Sequence, residues 1–232
     1  MFELNLLQRM AVWALPVLFA ITVHEVAHGW MARRLGDPTA MMLGRLTLNP
    51  LKHIDPLGTI LIPGLMLMLG GVIFGWAKPV PVTWQNLRHP KQDMIWVALA
   101  GPAANLLMAI MWAVIAKLGM AAYTPDSFSA LFLIYTGVAG ISINVILMSL
   151  NLLPLPPLDG GRVLTGLLPG PLAWKLSRVE PYGFFILVAL LYTGVLGHVL
   201  QPIIGVFEMV LTRFAGMQPT LFRAALTALI GS

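Results

Sequence analysis

AVWALPVLFAITVHEVAHGWM, residues 11–31, is an apolar run long enough for a helix to cross a membrane. It contains HEVAH at residues 24–28, and because residues four apart share a helix face, His24 and His28 can bind one metal ion. Glu25 lies about 100° further round the helix, beside the open position where a catalytic metal site holds water. Ionisable side chains at membrane depth are costly unless they are paired or metal-bound. The run therefore predicts a metal centre below the bilayer surface rather than a chance match.

The composition is that of an integral membrane protein. Of the 232 residues, 58% are hydrophobic and 10% are charged, and the mean hydropathy is +0.85. The formal net charge is +5, but the basic residues are scattered through short loops without a basic-aromatic cluster, so no nucleic-acid partner is predicted. Because the chain has no cysteine, any metal must take nitrogen and oxygen ligands. The N-terminal run predicts a retained first helix rather than a removed signal.

Four segments have the length and apolarity of membrane helices, at residues 11–32, 94–117, 130–153 and 183–200. The number of crossings after residue 183 stays open, because Gln201-Pro202 interrupts the apolar run there. His198 in that region has no assigned role. Since no linker or internal repeat is visible, residues 1–232 are predicted to form a single domain of an all-α polytopic membrane protein with four or five transmembrane helices.

A fifth apolar stretch, residues 57–76, is interrupted by Pro63-Gly64. It predicts either one poor crossing or a short segment that enters the membrane and returns. Residues 76–82 follow with the alternation of a strand. Pro79 and Pro81 lack amide donors, so the pattern predicts a small membrane-associated edge strand.

Asp159 is the candidate for the third protein ligand that a catalytic metal site requires. It stands in NLLPLPPLDGGR, residues 151–162, where prolines stop the preceding helix and two glycines permit a tight turn. Taken alone, this segment is explained equally well by an aspartate that caps a helix. The presence of HEVAH in the same chain favours the ligand.

Three motifs now resemble those of the site-2 protease family of intramembrane zinc metalloproteases. HEVAHG at 24–29, GPAAN at 101–105 and the segment at 151–161 match its motifs in order. The run from GRLTLNP at 44–50 to residues 76–82 resembles the family's short bacterial and archaeal branch, which has no PDZ or other attached domain.

This resemblance implies a Zn²⁺ ion bound by His24, His28 and Asp159. It also implies that Glu25 activates the water and that Asn151 helps to hold the substrate carbonyl or the oxyanion.

Four further residues are candidates for substrate binding. Asn105 has the weaker claim, because the small residues before it are equally what close helix packing requires. Lys78, Val80 and Val82 of the predicted edge strand are candidates for holding an extended substrate by strand addition.

The requirement that the three metal ligands meet restricts the path that residues 57–76 can take through the membrane. The histidines lie near the end of the first helix and Asp159 follows the helix at 130–153, so a single crossing at 57–76 would separate them by about 30 Å. A re-entrant segment is therefore predicted. In that topology, if the C-terminal region crosses once, four basic residues lie on the opposite side, namely Arg9, Lys117, Arg213 and Arg223. Ten lie on the active-site side, which is therefore predicted to be cytoplasmic: Arg33, Arg34, Arg45, Lys52, Lys78, Arg88, Lys91, Arg162, Lys175 and Arg178.

The predicted function is a zinc endopeptidase of a prokaryotic cell membrane that cleaves a single-span membrane protein in or near its transmembrane segment. The alternative is a catalytically silent scaffold or a metal-transport protein that uses the same His/Asp site. Glu25 separates the two, because a transporter needs ligands but no general base. The identity of the substrate and the oligomeric state are not encoded in any motif.

Overall fold

The computed structural model describes residues 4–61 and 77–231. Four helices in it are long and apolar enough to cross a membrane, namely α1 (Leu6–Arg34), α3 (Pro90–Ala121), α4 (Phe128–Asn151) and α8 (Val195–Phe214). The shorter helices are α2 (Thr39–Met42), α5 (Asp159–Leu167), α6 (Gly170–Ser177), α7 (Gly183–Tyr192) and α9 (Pro219–Ile230). The prediction of an all-α polytopic membrane protein is confirmed.

Helix α1 begins with a capping box. The Asn5 side chain accepts a hydrogen bond from the Gln8 amide, and the Gln8 side chain accepts one from the Asn5 amide. Arg33 and Arg34 lie in the last turn, where positive charge interacts favourably with the helix dipole. Because α1 is continuous from Leu6 to Arg34, His24 and His28 lie in its second half.

Small residues allow α3 and α4 to pack closely. A methyl group on Gly137 would lie 2.6 Å from the Ala116 side chain, and one on Gly140 would overlap the Trp112 ring. Such close approach is how membrane helices gain packing energy where the hydrophobic effect is absent. Helix α4 also contacts α1, α8 and α9, so it forms the centre of the bundle.

The connection between α1 and α3 begins and ends at the same place. The Arg88 amide donates to the Leu35 carbonyl at 3.0 Å, and the Lys78 amide donates to the His53 carbonyl at 2.9 Å. Helix α3 therefore starts where α1 ends, and α4 brings the chain back to that end. Residues 62–76 of the predicted re-entrant segment at 57–76 lie outside the described residues, so the re-entrant path stays a prediction.

The predicted edge strand is not present. Residues 77–83 have no regular secondary structure, and no strand forms anywhere in 4–61 or 77–231. The reason lies in the backbone donors. Pro79 and Pro81 have none, the Lys78 amide bonds to His53, and the Val80 amide bonds to the Glu25 carboxylate.

The predicted helix at 183–200 is wrong in its bounds. Helix α7 ends at Tyr192, Gly194 adopts a left-handed φ of 75°, and α8 runs from Val195 through Pro202 to Phe214. The chain thus breaks at the glycine, which tolerates that φ, and not at Gln201-Pro202. His198 is exposed on α8, and its Nδ1 bonds to the Gly194 carbonyl at 2.9 Å.

Candidate metal centre

Three ligand atoms from distant parts of the chain converge beside α1. His24 Nε2 and His28 Nε2 each lie 3.3 Å from Asp159 Oδ2, and they lie 3.0 Å from each other. Helix α1 supplies both imidazoles at i and i+4, and the first residue of α5 supplies the carboxylate. The structure therefore brings the three predicted ligands together in a group that can hold a metal ion.

The outer nitrogens of both imidazoles face hydrogen-bond acceptors. His28 Nδ1 lies 2.7 Å from the Val97 carbonyl, and His24 Nδ1 contacts Asn105 Oδ1. A carbonyl only accepts, so Nδ1 carries the proton and the Nε2 lone pair of each ring points inward. This is the orientation that a histidine needs in order to bind a metal.

Asp159 presents an unsatisfied oxygen to the same point. Its Oδ2 is buried and makes no hydrogen bond within the described part of the chain. An anionic oxygen and two nitrogen lone pairs at such short range repel one another unless a cation lies between them.

The spacing of these atoms fits zinc. Zinc–nitrogen bonds of about 2.0–2.1 Å arranged as a tetrahedron place neighbouring ligand atoms about 3.3 Å apart. The three ligand distances here are 3.0, 3.3 and 3.3 Å. Two histidines and one carboxylate also leave the fourth position open, as catalytic zinc sites require.

Gly101 forms the wall against which the imidazoles lie. A methyl group on it would come within 2.6 Å of both His24 Cε1 and His28 Cε1. The site therefore requires glycine here, whereas the sequence offered helix packing as a sufficient reason for the small residues of GPAAN.

A cavity of about 140 Å³ opens onto the metal ligands. Its walls include the predicted residues Glu25, Asn151, Val80 and Val82, together with Pro79. The Val80 amide donates to Glu25 Oε2 at 2.7 Å, which holds this carboxylate in the cavity. The general-base candidate and the metal ligands thus line one cavity.

Two of the predicted substrate contacts lie elsewhere. Asn105 is completely buried and makes its contacts with His24, Ala20 and Asn144, so its position fits a residue that orients His24. Lys78 does not line the cavity, and its amide is bonded to His53.

Arg162 and Trp84 also line the cavity, and the sequence reasoning did not select them. The Arg162 guanidinium lies 5.1 Å from the centre of the Trp84 ring, and its Nη2 lies 3.9 Å from Glu180 Oε1. A signal for Arg162 was available. It follows Asp159 by three residues on a helix, so both project from one face.

The ligand group and the membrane-length helices define the class as a membrane protein with a site that can hold a metal ion. Over 195 residues the chain is 39% identical to YwhC of Bacillus subtilis, covering 82% of this chain and 84% of YwhC. It is 37% identical over 183 residues to Rip2 of Mycolicibacterium smegmatis, covering 78% of this chain and 66% of Rip2. A Methanocaldococcus jannaschii protein, MJ0611, is 31% identical over 90 residues, covering 39% of this chain and 41% of MJ0611.

Each of these relatives bears the name "Putative zinc metalloprotease". No family model matches the chain, and no solved structure matches it. From its likeness to YwhC across most of both proteins, the chain belongs to this zinc metalloprotease family.

Proposed function

We propose that this chain is an intramembrane zinc endopeptidase of the site-2 protease type. The observation that carries the proposal is that Glu25 and the ligand group of His24, His28 and Asp159 line one cavity at the end of membrane-length helices. The zinc ion, when bound, would supply a Lewis acid and lower the pKa of a water molecule. A carboxylate beside such a site is what a hydrolase needs and what a transporter or scaffold does not.

Glu25 is the proton carrier in this proposal. The Val80 amide fixes Glu25 Oε2, which leaves Oε1 to accept a proton from the attacking water and pass it to the leaving amine. Asn151 and Arg162 face the same cavity and supply hydrogen-bond donors for the developing negative charge on the carbonyl oxygen. The Asn151 side chain is itself held by a 3.0 Å bond from Nδ2 to the Leu147 carbonyl.

The proposed substrate is a single-span membrane protein that unwinds locally, because a helical backbone has no free groups to present. Residues 79–82 offer this segment side-chain walls rather than a pairing edge. The Lys78 and Val80 amides are already bonded, and Arg45 donates to the carbonyls of Lys78 and Pro79. Val80 and Val82 therefore act through apolar contact.

The active-site end is proposed to face the cytoplasm. Arg33 and Arg34 are exposed at the end of α1, and Arg88 and Lys91 are exposed at the start of α3. Positive charge close to helix ends is retained on the cytoplasmic side. Single cysteines at positions 45, 88 and 175 should be shielded from an impermeant thiol reagent in intact cells and labelled after permeabilisation. Labelling of these cysteines in intact cells would show instead that the active-site end faces the outside.

Reconstituted protein incubated with single-span membrane proteins tests the activity. Cleavage should require zinc, cease with a chelator and return when zinc is restored. Asp126→Asn serves as the control, because Asp126 is an exposed acid outside the cavity. Zinc binding without cleavage of any membrane protein, together with transport of zinc into vesicles, would support the alternative.

A further inference from the structure

A chain of buried amides runs from α4 to the metal centre. Asn144 Nδ2 donates to the Gly140 carbonyl at 2.9 Å, and Asn105 Nδ2 donates to Asn144 Oδ1 at 2.9 Å. Asn105 Oδ1 in turn contacts His24 Nδ1. Asn105 and Asn144 are both 0% exposed, so no solvent competes for these bonds.

The direction of every bond in this chain follows from backbone carbonyls. The Gly140 carbonyl can only accept, so Asn144 turns its NH₂ toward Gly140 and its Oδ1 toward Asn105. The Ala20 carbonyl, 3.1 Å from Asn105 Nδ2, can also only accept. Both NH₂ hydrogens of Asn105 are therefore used, and its oxygen must face His24.

The two histidines differ in how they are held. His28 Nδ1 bonds directly to a main-chain oxygen, that of Val97, which no substitution of a side chain removes. His24 Nδ1 bonds to a side chain whose own orientation depends on a second side chain. His24 is thus the ligand whose geometry a substitution away from the site can change.

We infer that Asn144 is a positioning residue for the metal centre, acting through Asn105 to fix the tautomer and ring direction of His24. The inference rests on the proposed zinc site but not on proteolysis. Asn144 does not line the cavity, and its sequence position predicted no role. Partners of metal-bound histidines typically change metal affinity about 10–100-fold when they are removed. We expect about a tenfold loss for the more distant Asn144.

The test compares zinc affinity in detergent-purified protein, measured by competition with a chromophoric chelator, for Asn144→Leu in two backgrounds. In the wild-type background, Asn144→Leu should weaken zinc binding about tenfold. In an Asn105→Leu background it should have no further effect, because its route to His24 is already broken. Asn144→Leu should also change the visible spectrum of the Co²⁺-substituted protein in the wild-type background but not in the Asn105→Leu background.

Ser142→Ala is the matched control. Ser142 is 1% exposed on the same helix, but its hydroxyl bonds to Glu208 at 3.2 Å and not to the amide chain. It should leave zinc affinity unchanged. Asn144→Ser is a milder variant in case the leucine prevents folding, since a serine hydroxyl is too short to reach Asn105. Equal losses of affinity in both backgrounds, or full affinity for both Asn144 variants, would overturn the inference, whether or not the protein cleaves any substrate.

Discussion

Helices α4 and α8 are both apolar enough to cross a membrane, but they are buried to different extents. In α4, 67% of the most apolar window is buried inside the protein, against 22% in α8. The outer face of α8 carries exposed apolar side chains such as Val206 and Val210. Polar residues in the middle of α4, such as Ser142 and Asn144, are buried inside the protein.

This difference separates the part of the molecule that performs chemistry from the part that surrounds it. A polar group on α4 is enclosed by α1 and α3 and can act on the metal ligands. A group on the outer face of α8, such as Val206, is largely exposed within the part of the chain that the structure describes. Substitutions at the interface of α1, α3 and α4 should therefore affect metal binding or cleavage, whereas those in α8 should have small effects on stability alone.

The largest effect is expected for Glu25→Gln. It retains the shape of the side chain and its contact with the Val80 amide, but it removes the base. We expect cleavage to fall by about 10³-fold or more while zinc content stays at the wild-type level. Zinc analysis and a single-turnover assay on the same preparation measure both quantities. Near-normal turnover would remove Glu25 from the mechanism and weaken the contrast between the two regions.

Gly101→Ala should have the next largest effect. The added methyl group would come within 2.6 Å of both imidazoles, and we expect zinc affinity to fall about 10–100-fold, as when a partner of a metal ligand is lost. Gly205→Ala in α8 is the control, because a methyl group there has nothing within 4 Å. If Gly101→Ala and Gly205→Ala weaken zinc binding equally, the division between the interface of α1, α3 and α4 and the helix α8 is incorrect.

The three ligand candidates that the structure brings together could be selected from the sequence because polar residues in apolar segments are costly and therefore informative. HEVAH fixed the register of α1, and the need for a third ligand selected Asp159. The C-terminal region has His198 and Glu208 in its apolar run, but no motif relates them to a site. The apolar run at residues 183–200 did not indicate where its helices begin and end. The break between the two helices lies at Gly194 and not at Pro202.

Long-range contacts were beyond the reach of sequence spacing. No periodicity relates Asn105 to Asn144, which meet only because α3 and α4 pack through small residues. The alternation at 76–82 predicts a strand, but the Lys78 and Val80 amides bond to the His53 carbonyl and the Glu25 carboxylate instead. A local pattern cannot show which distant acceptor an amide will find.

Asp37→Asn should have an intermediate effect, on stability and with a defined pH dependence. Asp37 joins the two ends of the connection between α1 and α3, accepting hydrogen bonds from the Thr83 amide at 2.7 Å and Asn86 Nδ2 at 3.0 Å. Burial raises the pKa of Asp37, but hydrogen bonds from Thr39, Asn86 and Thr83 outweigh it, so the pKa lies below its usual value.

Because the folded-state pKa of Asp37 is lowered, its stabilisation is complete above the unfolded-state pKa and is lost as pH falls through the folded-state pKa. We expect Asp37→Asn to cost about 2 kcal/mol at neutral pH. The difference in Tm from wild type should begin to shrink below about pH 4. Asp126→Asn, at an exposed site in the loop before α4, should show little difference at any pH. A constant difference for Asp37→Asn down to pH 2 would exclude the charge as the cause.

The smallest effect is expected for Glu208, the acidic residue in α8 that faces α4. Its Oε1 accepts a hydrogen bond from Ser142 at 3.2 Å, and Glu208→Leu removes that bond. Hydrogen bonds between membrane helices contribute about 0.6 kcal/mol on average, so the loss of unfolding free energy should be of that order, with zinc affinity unchanged. Glu208→Gln retains the acceptor and should be close to neutral. A denaturant titration in mixed micelles measures the unfolding free energy. A loss of zinc binding in Glu208→Leu would show that α8 acts on the metal centre, and the contrast between α4 and α8 would then be one of burial only and not of function.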